Sequence, residues 1–184
     1  MTAKLNKRKC KQCGNEFQKL SPLQSVCGIT CSINRTYDLN LKKKEKAVND
    51  KVKDMKESLM KKGDYIKVLQ AVFNTYIRVR DKDELCVSCD CNMQNRKGDA
   101  SHFYPTTYQG LRFNEDNVHL SCVTCNQFKH GNIQEYRPRL IKRIGQERVN
   151  QLDNLRHSKM DLKIEDIKEL INEYKFKLKN LKNG

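Results

Sequence analysis

Apolar residues change their rhythm several times along this chain, and each rhythm predicts a different element. From 32 to 62 they are sparse among Lys and Glu, and in the second half Val48, Val52, Met55 and Leu59 follow at spacings of four, three and four. That is one narrow stripe on a basic helix, read here over 32–62, a linker or a DNA-backbone contact. Asp64 is a good N-cap for a second helix over 65–80, where Ile66, Leu69, Val72, Phe73, Tyr76 and Ile77 recur at three and four. This helix is apolar enough to pack on a core. A strand near 99–103 follows, then a loop from Pro105 to Gly110. Val118 and Leu120 next alternate with Asn117, His119 and Ser121, the pattern of a half-buried strand over 117–121. A helix over 124–130 completes a β-β-α order. Residues 133–184 read as helical, with Pro138 suited to a helix start and Gly145 to a stop. Ile167, Leu170, Ile171, Tyr174, Leu178 and Leu181 form an amphipathic stripe in the final helix.

Composition makes the core thin. Only 37% of the 184 residues are hydrophobic, 32% are charged and none is Trp. Metal staples compensate in chains with little to bury. The net charge of +15 favours a polyanion, most often nucleic acid. Residues 1–62 hold 16 Lys/Arg against 6 Asp/Glu, residues 63–130 hold 8 against 8, and residues 131–184 hold 13 against 8. The division suggests basic arms that hold phosphate, with Lys42, Lys43 and Lys44 among the candidates, around a neutral centre that cuts it. Met1–Lys9 has no apolar h-region and no run is long enough to span a membrane, so a cytoplasmic, reducing environment is expected.

Eight of the nine cysteines pair off at metal-ligand spacing. Cys10-x2-Cys13 with Cys27-x3-Cys31 is zinc-ribbon or treble-clef spacing, and Phe17, Leu20, Leu23 and Val26 are the only sizeable apolar residues between the knuckles. Such a finger depends on its metal to fold. Cys86-x2-Cys89 and Cys122-x2-Cys125 frame a second site, with Cys91 left over as a free thiol or as a replacement for Cys89. Inside that frame lie His102, His119 and His130, together with Asn117 and Asn126; His157 lies outside it. Phosphodiester hydrolysis needs a base, a cation and a means to aim them. His102 is the best base, because a neutral imidazole accepts a proton near pH 7. Asn117 could orient its ring. Asn126 and His130, at i and i+4 of a helix, could both reach a catalytic cation, with Asp99 and His119 as further candidate ligands. Lys129 and Arg112 are candidate phosphate contacts.

At these residues the chain resembles two families. His102-x2-Pro105, Asn117-x4-Cys122-x2-Cys125-Asn126-x2-Lys129 resembles the HNH, or ββα-metal, endonuclease motif. Asn126 stands where many members carry His, as in some junction-resolving phage endonucleases. Ser101 stands where HNH enzymes often carry a metal-binding Asp or His, and Asp99 could stand in. Nearly the whole length is similar to the NinG (Rap) recombination proteins of lambdoid phages. Cys10-x2-Cys13 with Phe17, Asp99-Ala-Ser-His102-Phe-Tyr, Leu111-Arg-Phe-Asn-Glu-Asp-Asn117-Val-His, Gly131-Asn132 and Tyr136 carry that similarity. The resemblance implies a structure-specific DNA endonuclease acting on branched recombination intermediates. It would hold two structural zinc ions and a catalytic Mg2+ or Mn2+. Its partners would be branched or junction DNA, with a second copy of the chain and recombination proteins as further candidates.

The expected fold is α+β and mostly helical. A four-cysteine zinc finger spans 1–34, a basic helix and a core-packing helix span 35–80, a zinc-stapled ββα-metal core spans 81–132, and a helical region spans 133–184. The competing reading is a non-catalytic zinc-finger DNA-binding protein, which has no need of His102, Asn117 and Asn126. A sequence-specific homing or restriction endonuclease is less favoured, because no target-reading module is evident.

Overall fold

The structure, a computed structural model, describes residues 7–94 and 96–183; part of Met1–Lys9, on which the lack of a signal peptide was read, lies outside it. The chain is mostly helical, with two small antiparallel sheets. Two compact units meet at Leu59–Met60, a boundary that falls within the segment 35–80.

The first unit is a hairpin, β1 (Lys7–Lys9) with β2 (Glu16–Gln18), paired Lys7↔Gln18 and Arg8↔Phe17, followed by helix α1 (Ile29–Ser58). The helix begins three residues before the expected 32 and stops short of 62. It starts at the second cysteine knuckle, so Cys31 sits in its first turn. No residue of α1 is buried, and the stripe Val48, Val52, Met55, Leu59 is exposed.

The second unit is built on α2 (Lys62–Arg80), which starts before the expected 65. Asp64 is not the N-cap but lies three residues inside it, where its carboxylate accepts the Lys61 amide at 3.1 Å. The apolar stripe of α2 packs on α5 (Ile164–Asn183): Tyr65, Leu69, Phe73, Tyr76 and Ile77 meet Ile167, Ile171 and Tyr174, with Phe73 edge-on to Tyr174 at 5.0 Å. Leu181, at the far end of the expected α5 stripe, is exposed.

The second sheet pairs β3 (Gly98–His102) with β4 (Val118–Cys122), in register Asp99↔Ser121, Ser101↔His119 and His102↔Val118. A second apolar cluster, Val87, Phe103, Leu111, Tyr136, Leu140, Val149 and Leu152, joins this sheet's loop to α3 (Ile133–Ile144) and α4 (Gln146–Leu155). Tyr136, fully buried, donates its hydroxyl to the Ser101 carbonyl at 2.9 Å and so ties α3 to β3.

Two further expectations differ. Pro138 lies inside α3, not at its start. The helix begins after Asn132, whose carbonyl accepts the Tyr136 amide at 2.9 Å, and burial of Tyr136 and Leu140 on either side of the proline holds it there despite the lost donor. The expected helix 124–130 is a single wide turn over Thr124–Phe128, with Lys129 N bonded five residues back to Thr124 O at 3.0 Å. His130 and Asn132 then take left-handed backbone at φ 50° and 51°. Gly145 ends α3 with φ 89°, as a glycine stop requires.

One buried charge locks the strands to α2. Asp81 takes the Leu120 amide at 3.0 Å and the Arg80 guanidinium at 2.6 Å, with the His119 ring at 3.5 Å and Arg143 at 3.9 Å. Burial by itself would raise this carboxyl, but the His119 and Arg80 contacts outweigh it and hold it well below the usual carboxylate range. Asp81→Asn should therefore cost about 3 kcal/mol in urea unfolding, because it removes the buried carboxylate shared by Arg80 and Arg143 and leaves Arg80 with the more distant Glu115, at 3.6 Å. The sign with pH follows from the depressed value. The Asp81 contribution is present above the unfolded value of 3.8 and is lost only as pH falls further, through the folded value. An unchanged unfolding midpoint at pH 7 would contradict this.

Candidate functional site

The loop 103–117 bends back on itself and is fastened by one residue. Asn117 is fully buried; its amide oxygen accepts Tyr104 N at 2.7 Å, and its NH2 donates to Tyr104 O at 2.9 Å and Leu111 O at 3.0 Å. The side chain expected to orient His102 is thus spent on the loop. The ring partner is the Arg112 carbonyl, 3.0 Å from His102 Nε2. A carbonyl only accepts, so Nε2 carries the proton and Nδ1 is left as the basic nitrogen. Burial lowers the His102 pKa below its ordinary 6.5, outweighing the Arg112 carbonyl, so the imidazole is neutral at pH 7.

His102 opens into a cavity of about 440 Å³ that Asn126, His130, Ser101, Arg112, Gln70 and Asn74 also line. The wide turn and the left-handed His130 bring Asn126 and His130 to one cavity without the i, i+4 helix expected for them. Asn126 donates its NH2 to Asp99 Oδ2 at 2.9 Å, as does Gln127 at 2.9 Å. The Asn126 amide oxygen is thereby turned from Asp99 and is left as a donor atom for a cation. His119 does not join this group. Its Nδ1 lies 3.1 Å from Arg80 and 3.5 Å from Asp81, and its Nε2 lies 3.1 Å from Asp116 O, so both nitrogens are occupied in the buried network of Asp81. Lys129 is exposed, and Lys42, Lys43 and Lys44 lie on α1 in the other unit.

Three features of this cavity lay outside the sequence reading. The hydroxyl of Ser101 is buried and has no hydrogen-bond partner among the described residues. Gln70 accepts Arg112 Nε at 2.7 Å and donates to Asn74 at 2.7 Å, which fixes the guanidinium at the cavity wall. The signal for the pair was present: Gln70 and Asn74 are polar at i and i+4 within the apolar helix α2. The Arg112 carbonyl had no signal, since any residue supplies one.

Both cysteine groups are assembled. The sulfurs of Cys10, Cys13, Cys27 and Cys31 lie within 4.8 Å of one another, with Cys13 and Cys27 at 3.7 Å and Cys27 and Cys31 at 3.4 Å. Tetrahedral Zn–S bonds of about 2.3 Å put sulfurs about 3.8 Å apart, so the spacing fits such an ion. The turn that bears Gly14 at φ 77° aims the Gln12 amide at Cys10, 3.4 Å from its sulfur, and the second knuckle adds the Cys27 amide at 3.3 Å. The Cys13 amide foremost among these contacts pulls the Cys10 thiol down to about 6. In the second group Cys86, Cys89, Cys91 and Cys122 lie within 4.8 Å of one another. Cys91 thus joins Cys89 rather than replacing it, and the expected fourth member, Cys125, is outside this mutual set. Cys125 is buried beside it, with its amide 3.4 Å from the Cys122 sulfur and the Asn132 NH2 3.8 Å from its own. Burial would raise Cys86, but the Cys122 amide at 3.2 Å and the Ser121 hydroxyl hold it down to about 6. Thiols so poised are ready metal ligands. No helix among the described residues is long and apolar enough to cross a membrane.

Comparisons with known proteins agree in one direction. A family model described as bacteriophage lambda NinG protein matches residues 2–184. Protein ninG of Escherichia phage lambda is 36% identical over 201 residues, covering 100% of this chain and 98% of that protein. Protein ninG of Escherichia phage 933W is 34% identical over 197 residues (99% and 97%), and that of Salmonella phage P22 33% over 199 (99% and 97%). No solved structure matches.

Proposed function

The chain belongs to the NinG family of phage proteins, and from that premise we propose that it is a metal-dependent endonuclease of HNH type that cuts branched DNA during recombination. The observation that carries this reading is the neutral, carbonyl-tethered His102 in one cavity with Asn126 and His130. A DNA-binding finger needs none of these, and it needs no cavity beside its knuckle.

His102 Nδ1 takes the proton of an attacking water, and the Arg112 carbonyl keeps the ring in the tautomer that can do so. Asn126, with Asp99 behind it, supplies an amide oxygen suited to Mg2+ or Mn2+, and His130 would add an imidazole nitrogen beside it. A cation held there would stabilise the charge that develops on the phosphate and leaving oxygen. Arg112, fixed by Gln70, faces the same cavity and can hold a non-bridging phosphate oxygen. The cysteine groups, each taken as a structural zinc site, hold the finger and the end of the sheet in shape.

Cleavage of labelled four-way junction, flap and duplex DNA, with EDTA or with Mg2+ or Mn2+, tests the reading. Branched DNA should be cut only with the divalent ion. The acid limb of the pH profile should have its midpoint below 6.5, because the base must be unprotonated and burial lowers its pKa. No metal-dependent cleavage of any substrate would leave the zinc-finger reading in its place.

A further inference from the structure

The block 63–130 is neutral in sequence, with 8 Lys/Arg against 8 Asp/Glu, but its charge is not evenly spread in space. Its carboxylates are largely spent on cations from the helices. Asp81 faces Arg80 and Arg143, Glu115 faces Lys177 and Arg80, Asp116 faces Arg148, Asp90 faces Arg139 and Asp64 faces Lys67. Of the block's own cations left over, Arg78, Lys82, Arg96 and Lys97 line one cavity of about 560 Å³. Among the described residues Lys82 has only the exposed Asp83, at 3.9 Å. Arg78 bonds a hydroxyl, that of Thr75, and among the described residues no ion pair to a carboxylate engages Arg78, Arg96 or Lys97.

The turn that carries two of these cations is seated on the sheet. Arg96 N donates to Met93 O at 3.0 Å. A Cβ at Gly98 would lie 2.6 Å from Met93 Cε and 2.7 Å from Leu120 Cδ1, so a side chain there would have to push these two buried side chains aside. The cavity also adjoins the candidate site. Asp99 lines it, and the same Asp99 carboxylate holds Asn126, which lines the cavity of His102.

We propose that this groove binds successive phosphates of the DNA strand that runs past His102, so that the centre of the chain grips DNA as well as the basic arms. The inference rests on the nuclease reading for the identity of the strand. Its own basis is the row of unneutralised cations. All four are exposed, and none is a buried donor shaped around a single ion. That suits a polyanion whose charge repeats along its length rather than one small phosphate.

The test compares two triple variants of the full chain that remove equal charge. One is Arg78→Gln, Arg96→Gln, Lys97→Gln. The other is Lys175→Gln, Lys179→Gln, Lys182→Gln, on exposed positions of α5. Binding of a fluorescein-labelled four-way junction is titrated across a salt series, after circular dichroism shows that both variants melt like the parent. Each lost phosphate contact should remove about 0.7 to 0.9 units of slope in log K against log salt. The groove variant should lose about two units and bind at least about tenfold more weakly at low salt, and the α5 variant, which thins one basic arm, should lose less than about one unit. Equal losses in the two variants, or a parental slope in the groove variant, would overturn the proposal. A parent that binds no DNA would overturn it together with the nuclease reading. A parent that binds as described and does not cut would remove the nuclease reading alone, because the measurement here is binding.

Discussion

His102→Ala lowers the single-turnover rate of branched-DNA cleavage by at least about 100-fold while junction affinity stays within about threefold of the parent. The loss corresponds to about 2.7 kcal/mol of transition-state stabilisation. The side chain is only half-buried, belongs to none of the apolar clusters and makes one hydrogen bond, to the Arg112 carbonyl, so its removal leaves the fold standing. Asn126→Ala should also impair cleavage, and excess Mn2+ should partly restore it if the amide oxygen is a ligand. Asn117→Ala behaves differently. A residue that only aimed the base would give a mild rate defect. Loss of the buried Asn117 side chain instead leaves the Tyr104 amide and carbonyl without partners, at about 1–3 kcal/mol each, so stability should fall along with the rate. A His102→Ala protein that cuts at the parental rate would sink the proposed mechanism.

Metal removal is the second large effect. Purified protein should carry two zinc ions per chain, and a strong chelator should cost each unit several kcal/mol of stability. The two units should respond unequally. Residues 7–59 bury almost nothing apart from Cys10, and α1 buries nothing, so loss of metal should abolish the hairpin's protection against hydrogen exchange. The second unit keeps the packed pair α2 and α5, and should loosen mainly around Cys86, Met93, Leu120 and Cys125, at the end of the sheet that carries the site. Cys86→Ser should lose one zinc, since that buried sulfur takes the Cys122 amide and lies in the mutual group with Cys89, Cys91 and Cys122. Zinc analysis of Cys91→Ser and of Cys125→Ser identifies the fourth ligand. A parent returning less than one zinc per chain would contradict the two-site reading.

Local chemistry was legible in the sequence wherever it depends on spacing along one element. The apolar period placed α2 and α5, the alternation Val118, Leu120 placed β4, and paired cysteines at two or three residues placed the first thiol group and three members of the second, where Cys91 stands in the mutual set instead of Cys125, because each signal arises within a few residues of chain. Periodicity does not say what a stripe packs against. The narrow stripe Val48–Leu59 is exposed and the fuller stripe of α2 is core, as their apolar content suggested, but that the α2 stripe meets α5 was not written in its period. The wide turn at 124–128 and the left-handed His130 were not readable, since Asn126 and His130 fit an α-helix equally well on paper.

The partners of polar side chains were decided by the tertiary structure alone. Asn117 and His119 sit two residues apart, yet one fastens a loop through Tyr104 and Leu111 and the other enters a charge network with Arg80 from α2. His102 is aimed by a backbone carbonyl ten residues away, a group present at every position and so invisible in composition. The neutrality of 63–130 is likewise a sum over sequence; folding pairs its carboxylates with distant arginines and leaves four cations on one groove. Spacing fixes neighbours on one element, whereas hydrogen bonds and ion pairs across elements depend on where packing brings the chain together, and that distance in space is not written in distance along it.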